Sequence, residues 1–143
     1  MPFDKIDRIY IEQDDREKYG DKSGLSALSP FFSDKENVDL FLFAIAYALK
    51  HGLPRRPLKN RYGYARTSYF KETEEMYLKC LAVYEKKSID VLGDEKEILT
   101  IAEEYANAGI KLLYKELSEN SGDYELEIEE YLLTEVQIPD TSY

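Results

Sequence analysis

A mainly α-helical domain, with about four main helices packed around a buried central helix and one short N-terminal β-strand, is the fold that this 143-residue sequence predicts. Three observations lead to it. Capping-box signatures at Ser33 with Glu36 and at Asp94 with Glu97 each precede a stretch of apolar residues at helical spacing. A third helical stripe lies between them. Near the N-terminus, Arg8-Ile9-Tyr10-Ile11-Glu12 alternates as a half-buried strand does. With 43% hydrophobic residues the chain can fill one core at this length, so residues 1–136 read as a single helical domain and 137–143, containing Pro139, as a flexible tail.

In order, the Arg8–Glu12 strand needs a partner, either a second extended segment of the same chain or the same strand of another subunit. Residues 13–30 are polar and interrupted by Gly20, Gly24 and Pro30, which predicts a loop with a short helix near Asp14 to Tyr19. The first strong helix runs from about Asp34 to Lys50 and is closed by Gly52 and Pro54. Apolar residues on most of its sides place it at the centre of the core. Residues 52–70 hold two prolines and Gly63 and read as an ordered or semi-ordered loop. The next helix, about Lys71 to Lys87, aligns Tyr77, Cys80, Leu81 and Tyr84 on an inward stripe. From Asp94 to about Leu117 runs the longest helix, with Gly109 on its apolar stripe. Glycine there costs about 1 kcal/mol in helix propensity against alanine, which points to a close crossing with another helix. A last acidic helix is expected from about Tyr124 to Thr134.

Charge is distributed unevenly. Residues 1–49 carry 6 Lys/Arg against 10 Asp/Glu, residues 72–93 carry 3 against 5, and residues 94–136 carry 3 against 13. Residues 50–71 instead carry seven basic groups and no acid, a basic island in a chain of net charge −10. Acidic Asp4 and Asp7 stand where a signal peptide needs a basic start and an apolar core, and the greasiest stretch, Val38 to Leu49, is too short to span a bilayer. Both facts predict a cytoplasmic protein with no membrane partner. The single cysteine, Cys80, has no CxxC or Cys/His companions, reads as a small core hydrophobe, and leaves no metal site or cofactor to expect.

Nucleotide-binding glycine loops are absent from the sequence. Adjacent carboxylates at Glu74-Glu75, Glu103-Glu104 and Glu129-Glu130 point to different sides of a helix and fit solvated faces better than a magnesium cluster. His51, the only histidine, falls at a helix end where it meets terminal carbonyls. The sequence therefore supplies no catalytic residue and reads as a binding or accessory protein.

The basic island is its main functional signal. Arg55, Arg56, Lys59, Arg61 and Arg66 are interleaved with Tyr62, Tyr64 and Tyr69, a pattern suited to binding phosphates with tyrosines stacking on bases or packing beneath the phosphates. A second account fits the same residues, in which they neutralise the carboxylates of residues 94–136 and merely dock the loop.

Three stretches carry a family resemblance: Pro30-Phe31-Phe32-Ser33-x-Lys35 leading into Leu40-Phe41-Leu42-Phe43-Ala44, Gly52 followed by Arg55-Arg56-Pro57-Leu58, and Glu97-Ile98 followed by Ala102-Glu103-Glu104-Tyr105-Ala106-Asn107-x-Gly109-Ile110. Together they resemble small proteins associated with Dnd systems, which modify DNA by phosphorothioation. The resemblance implies a non-enzymatic accessory role in DNA-modification-based defence, with protein components of a modification or restriction system, and DNA, as the candidate partners. It brings no catalytic residues with it. Glu103, Glu104 and Asn107 lie in its most specific segment, with Asn107 four residues on from Glu103 on the same helical face, and read either as a partner-contact edge or as a surface-polar stripe or hydrogen-bonding groups to a neighbouring loop. Two alternatives stand beside this reading: an independent DNA-binding regulator in which the Arg8–Glu12 strands of a homodimer form a ribbon, opposed by the long polar gap before the first strong helix, and an unrecognised nuclease or sulfur-handling enzyme.

Overall fold

The computed structural model describes residues 3–20 and 24–119. The helix expected over Tyr124 to Thr134, the boundary at 136 and the tail at 137–143 lie outside the described residues.

Strand β1 (Arg8–Glu12) leads through a 3₁₀ segment (Gln13–Tyr19) to the one-turn helix α1 (Leu25–Leu28), a second 3₁₀ turn (Pro30–Phe32) and helix α2 (Asn37–Lys50). Strand β2 (Arg61–Arg66) follows, then helix α3 (Glu72–Lys86) and helix α4 (Glu95–Glu119). The mainly helical architecture is as the sequence predicts. No helix among the described residues is long and apolar enough to cross a membrane.

Helix α4 opens where its capping signature places it, with the Asp94 carboxylate accepting the Glu97 N–H at 3.1 Å. Helix α2 begins three residues later than expected. The Pro30–Phe32 turn uses Ser33, whose hydroxyl donates to the Pro30 carbonyl at 2.8 Å, and the cap falls to Glu36, whose N–H donates to Asp39 Oδ2 at 3.0 Å. Helix α2 is deeply buried, Phe41, Ala44, Ile45 and Ala48 having no exposed surface. The hub of the fold is nonetheless α4, because α1, α2, α3 and β1 all pack against it. At 25 residues, roughly 37 Å by the α-helical rise, only α4 is long enough to reach them all.

Gly109 marks the tightest point of the α2–α4 crossing. A Cβ there would stand 1.8 Å from the Ala44 carbonyl oxygen and 3.1 Å from the Ala48 nitrogen, so the two backbones touch where Ala44, Ala48 and Gly109 meet. The sequence expectation of a close crossing holds.

Helix α3 corrects another expectation. Its inward face is Glu75, Leu78, Leu81 and Ala82, while Cys80 is exposed and Tyr84 is 65% exposed. The expected stripe of Tyr77, Cys80 and Tyr84 lies mostly outside. Tyrosines read as apolar shifted the apparent phase of a helix whose inward face is only a few residues wide.

Strand β1 finds its partner within the chain. It pairs antiparallel with β2, Arg8 opposite Arg66, Ile9 opposite Ala65, Tyr10 opposite Gly63 and Glu12 opposite Arg61. Ile9, Ile11 and Ala65 form the core face. The register shift after Ile9 leaves Tyr64 as the extra residue of a bulge, and its ring lies 4.8 Å from that of Tyr19. Beyond β1, the Tyr10 N–H donates to Glu103 of α4 at 2.9 Å. With β2 on one edge and α4 at the other, β1 cannot supply the intersubunit ribbon of the dimeric-regulator alternative.

Candidate partner-binding face

The two groups of residues singled out from the sequence meet each other. Residues 53–61 run along α4, and the polar residues of its signature segment hold them there. Asn107, 4% exposed, donates its side-chain N–H groups to the Arg56 and Pro57 carbonyls at 2.9 and 3.3 Å. The Arg56 N–H donates to the Glu104 carbonyl at 3.1 Å. Two loop carbonyls and one loop amide are thus satisfied by a single helical turn, which lets an irregular, proline-containing segment lie against the core. From the other side Glu12, itself buried, accepts the backbone N–H groups of Lys59 and Asn60 at 2.7 and 3.0 Å.

Charge pairs add to this anchoring. Arg55 Nε sits 3.2 Å from Glu85 and 3.6 Å from Glu104, and Glu85 also accepts the Tyr105 hydroxyl at 2.6 Å. Arg61 lies over the Tyr10 ring, 4.5 Å from its centroid, and reaches Glu103 at 3.1 Å. Lys111, bonded to the Asn107 side-chain oxygen, also pairs with Asp15, and Lys18 meets Asp15 at 2.7 Å. Burial disfavours the Asp15 carboxylate, but these two ammonium groups outweigh it and hold its pKa below the ordinary value. The interior partners of the basic island therefore lie on α4, on α3 and at the end of β1, and the hydrogen-bonding account of Glu103, Glu104 and Asn107 describes their contacts.

Glu103 is the unusual member. It is 2% exposed, and burial pushes its pKa up to about 7 against the opposing pull of the Tyr10 N–H and Arg61. A carboxyl whose folded pKa is raised above its unfolded value contributes stability that is complete below about 4.5 and lost as the pH rises through about 7. The melting temperature of wild type should therefore fall relative to that of Glu103→Gln across this window. Parallel melting curves of the two proteins as a function of pH would contradict the assignment.

Three other cations of the island stand apart from these pairs. Arg56, Lys59 and Arg66 are exposed, and among the described residues no ion pair or side-chain hydrogen bond engages their charged groups. Tyr62, 42% exposed, lies under Arg16 at 5.6 Å, Tyr64 is turned onto Tyr19, and Tyr69 is 63% exposed. Sequence reading missed Glu12, Asp15 and Glu85, whose roles depend on contacts with residues distant in the chain. It also passed over Arg8, whose only signal was its position opening the alternating strand. His51 rests its ring 4.4 Å from that of Tyr47 at the end of α2. Among the described residues no group of three or more His, Cys, Asp or Glu is placed to hold a metal ion.

A family model described as DNA sulphur modification system-associated protein 4 matches residues 26–141, a span that includes the island and its anchors on α4 but not β1. No curated protein and no solved structure matches the chain.

Proposed function

Because the chain belongs to the family of DNA sulphur modification system-associated protein 4, we propose that it is a non-enzymatic accessory component of such a system, acting by contact with the system's other proteins through the basic segment. The observation that supports this most is the combination of fixed backbone and free charge at Arg56 and Lys59. Their main-chain groups are held by Asn107, Glu104 and Glu12, while their side chains are exposed and have no ion pair among the described residues. A segment already ordered loses little further conformational entropy on binding, which favours it as an interaction surface. The same segment continues into β2, where Arg66 is also exposed and has no ion pair among the described residues, so contact with DNA belongs to the reading too.

The test is co-purification. A tagged chain produced together with the other proteins of its system should recover at least one of them. Arg56→Glu with Lys59→Glu should reduce that recovery at unchanged melting temperature. Arg55→Ala should behave oppositely, lowering the melting temperature because Arg55 pairs with Glu85 and Glu104. Its side chain is partly exposed, so a loss of about 1 kcal/mol or less is expected. Failure to recover any partner, or full recovery by the charge-reversed protein, would overturn the proposal.

A further inference from the structure

The outer face of the β1–β2 sheet carries an arrangement that the fold itself does not explain. Arg8 and Arg66 stand directly opposite one another across the two strands. Like charges in that position disfavour strand pairing unless an anion relieves them. Both residues are exposed, and no carboxylate among the described residues forms an ion pair with either. The contrast with Arg55, Arg61, Lys18 and Lys111, each held by at least one carboxylate, is local and sharp.

The surroundings of the pair are shaped for a ligand that approaches closely. Gly63 follows on the same face, opposite Tyr10, and the Arg8 side chain extends over it, its Cδ 3.5 Å from the position a Cβ would occupy. Absence of a side chain at 63 gives the Arg8 side chain room to lie across the sheet. Further along, Arg61 lies flat on the Tyr10 ring, half exposed, with Glu103 beneath it. The row Arg66, Arg8, Arg61 thus presents guanidinium groups along the strands, and the carboxylates at its far end, Glu12 and Glu103, are both buried. Guanidinium forks match phosphate oxygens in a bidentate manner.

The acidic excess of the chain is concentrated at its end. Of its 29 acidic residues seven follow Glu119, whereas all 19 basic residues precede it, so residues 1–119 carry 22 acids against 19 bases. Arg8 and Arg66 bring two exposed positive charges to the sheet, and acids farther off than about 8 Å are largely screened from them at physiological ionic strength.

We infer that the outer face of the β1–β2 sheet binds the phosphate backbone of double-stranded DNA, with the cross-strand pair Arg8 and Arg66 at its centre and Arg61 on Tyr10 at its edge. The inference rests on the DNA half of the proposed function and adds to it a residue, Arg8, from outside the basic island. Contacts of this kind position DNA without reading its sequence. The pair therefore serves affinity, with dependence on salt and little dependence on sequence.

The experiment measures binding of the full-length chain to a short fluorescent DNA duplex over a range of salt concentrations. Wild type should bind at low salt, with affinity falling as salt is raised. Arg8→Ala with Arg66→Ala should weaken binding about tenfold or more and reduce the slope of log affinity against log salt by about 1.8, two phosphate contacts at roughly 0.9 each. Its melting temperature should stay level or rise, because a like-charge pair has been removed. Lys35→Ala, outside the sheet, should bind as wild type. No binding by wild type at low salt, or an unchanged slope in the double variant, would overturn the inference. So would equal affinity for polyglutamate lost in the same variant, which would assign the face to an acidic protein. Co-purification of the system's proteins by the Arg8, Arg66 double variant separates the two proposals, since it should persist whichever way the DNA measurement falls.

Discussion

Replacement of Gly109 by leucine is expected to cost more than 3 kcal/mol of folding stability, at or beyond the top of the usual range for overpacking. In most overpacked cores a neighbouring side chain turns aside. Here the first obstacle is main chain, the Ala44 carbonyl oxygen at 1.8 Å and its carbon at 2.8 Å from the new Cβ. Helix α2 would have to move away from α4 as a body, opening the contacts of Phe41, Ala44, Ile45 and Ala48, all now fully buried. Even Gly109→Ala should destabilise, against the gain of about 1 kcal/mol that alanine ordinarily brings to a helix interior. Denaturant unfolding of the two variants checks both sign and size. An alanine variant as stable as wild type would show that the helices have room between them and that the crossing is looser than described.

Asn107→Ala is expected to have the second largest effect, about 2 kcal/mol. It removes the donors to the Arg56 and Pro57 carbonyls and the acceptor for Lys111 at a site that is 4% exposed, where lost partners are poorly replaced by water. Asn107→Asp separates hydrogen bonding from shape. Aspartate fills the same space and can pair with Lys111, yet it offers no N–H and sets a carboxylate against two carbonyl oxygens. It should therefore be no more stable than the alanine variant. Thermal melts of both proteins at neutral pH decide the matter: an aspartate variant that retains wild-type stability would mean that Asn107 matters through its pairing with Lys111 and not through the loop.

What the sequence made legible follows from how local each signal is. The Asp94 cap and the stripe through Gly109 are written within one helix, and both the position of α4 and its close crossing could be read from them. The β2 strand was not legible, because only Ala65 of its six residues is fully buried and Gly63 reads as a breaker. Alternation of apolar side chains, the usual sign of a strand, is missing where one face is covered by so little. The phase of α3 was misread for a related reason, since Tyr77 and Tyr84 lend apolar character to a side that faces solvent. At the candidate site the composition revealed the basic island, and the family resemblance revealed Glu103, Glu104 and Asn107. That these two features are each other's partners was hidden, because Asn107 lies 51 residues from Arg56 and nothing in either segment marks the other.

The central claim is that α4 and β1 hold residues 56–60 in one fixed backbone conformation that displays Arg56 and Lys59. Hydrogen exchange of three amides tests it most directly: Arg56, donating to the Glu104 carbonyl, and Lys59 and Asn60, donating to the Glu12 carboxylate. In the wild-type chain these amides should be protected well above the level of an exposed loop, and Asn107→Ala should selectively lower the protection of Arg56. Exchange of all three at the rate of an unstructured peptide in the wild-type chain would contradict the claim.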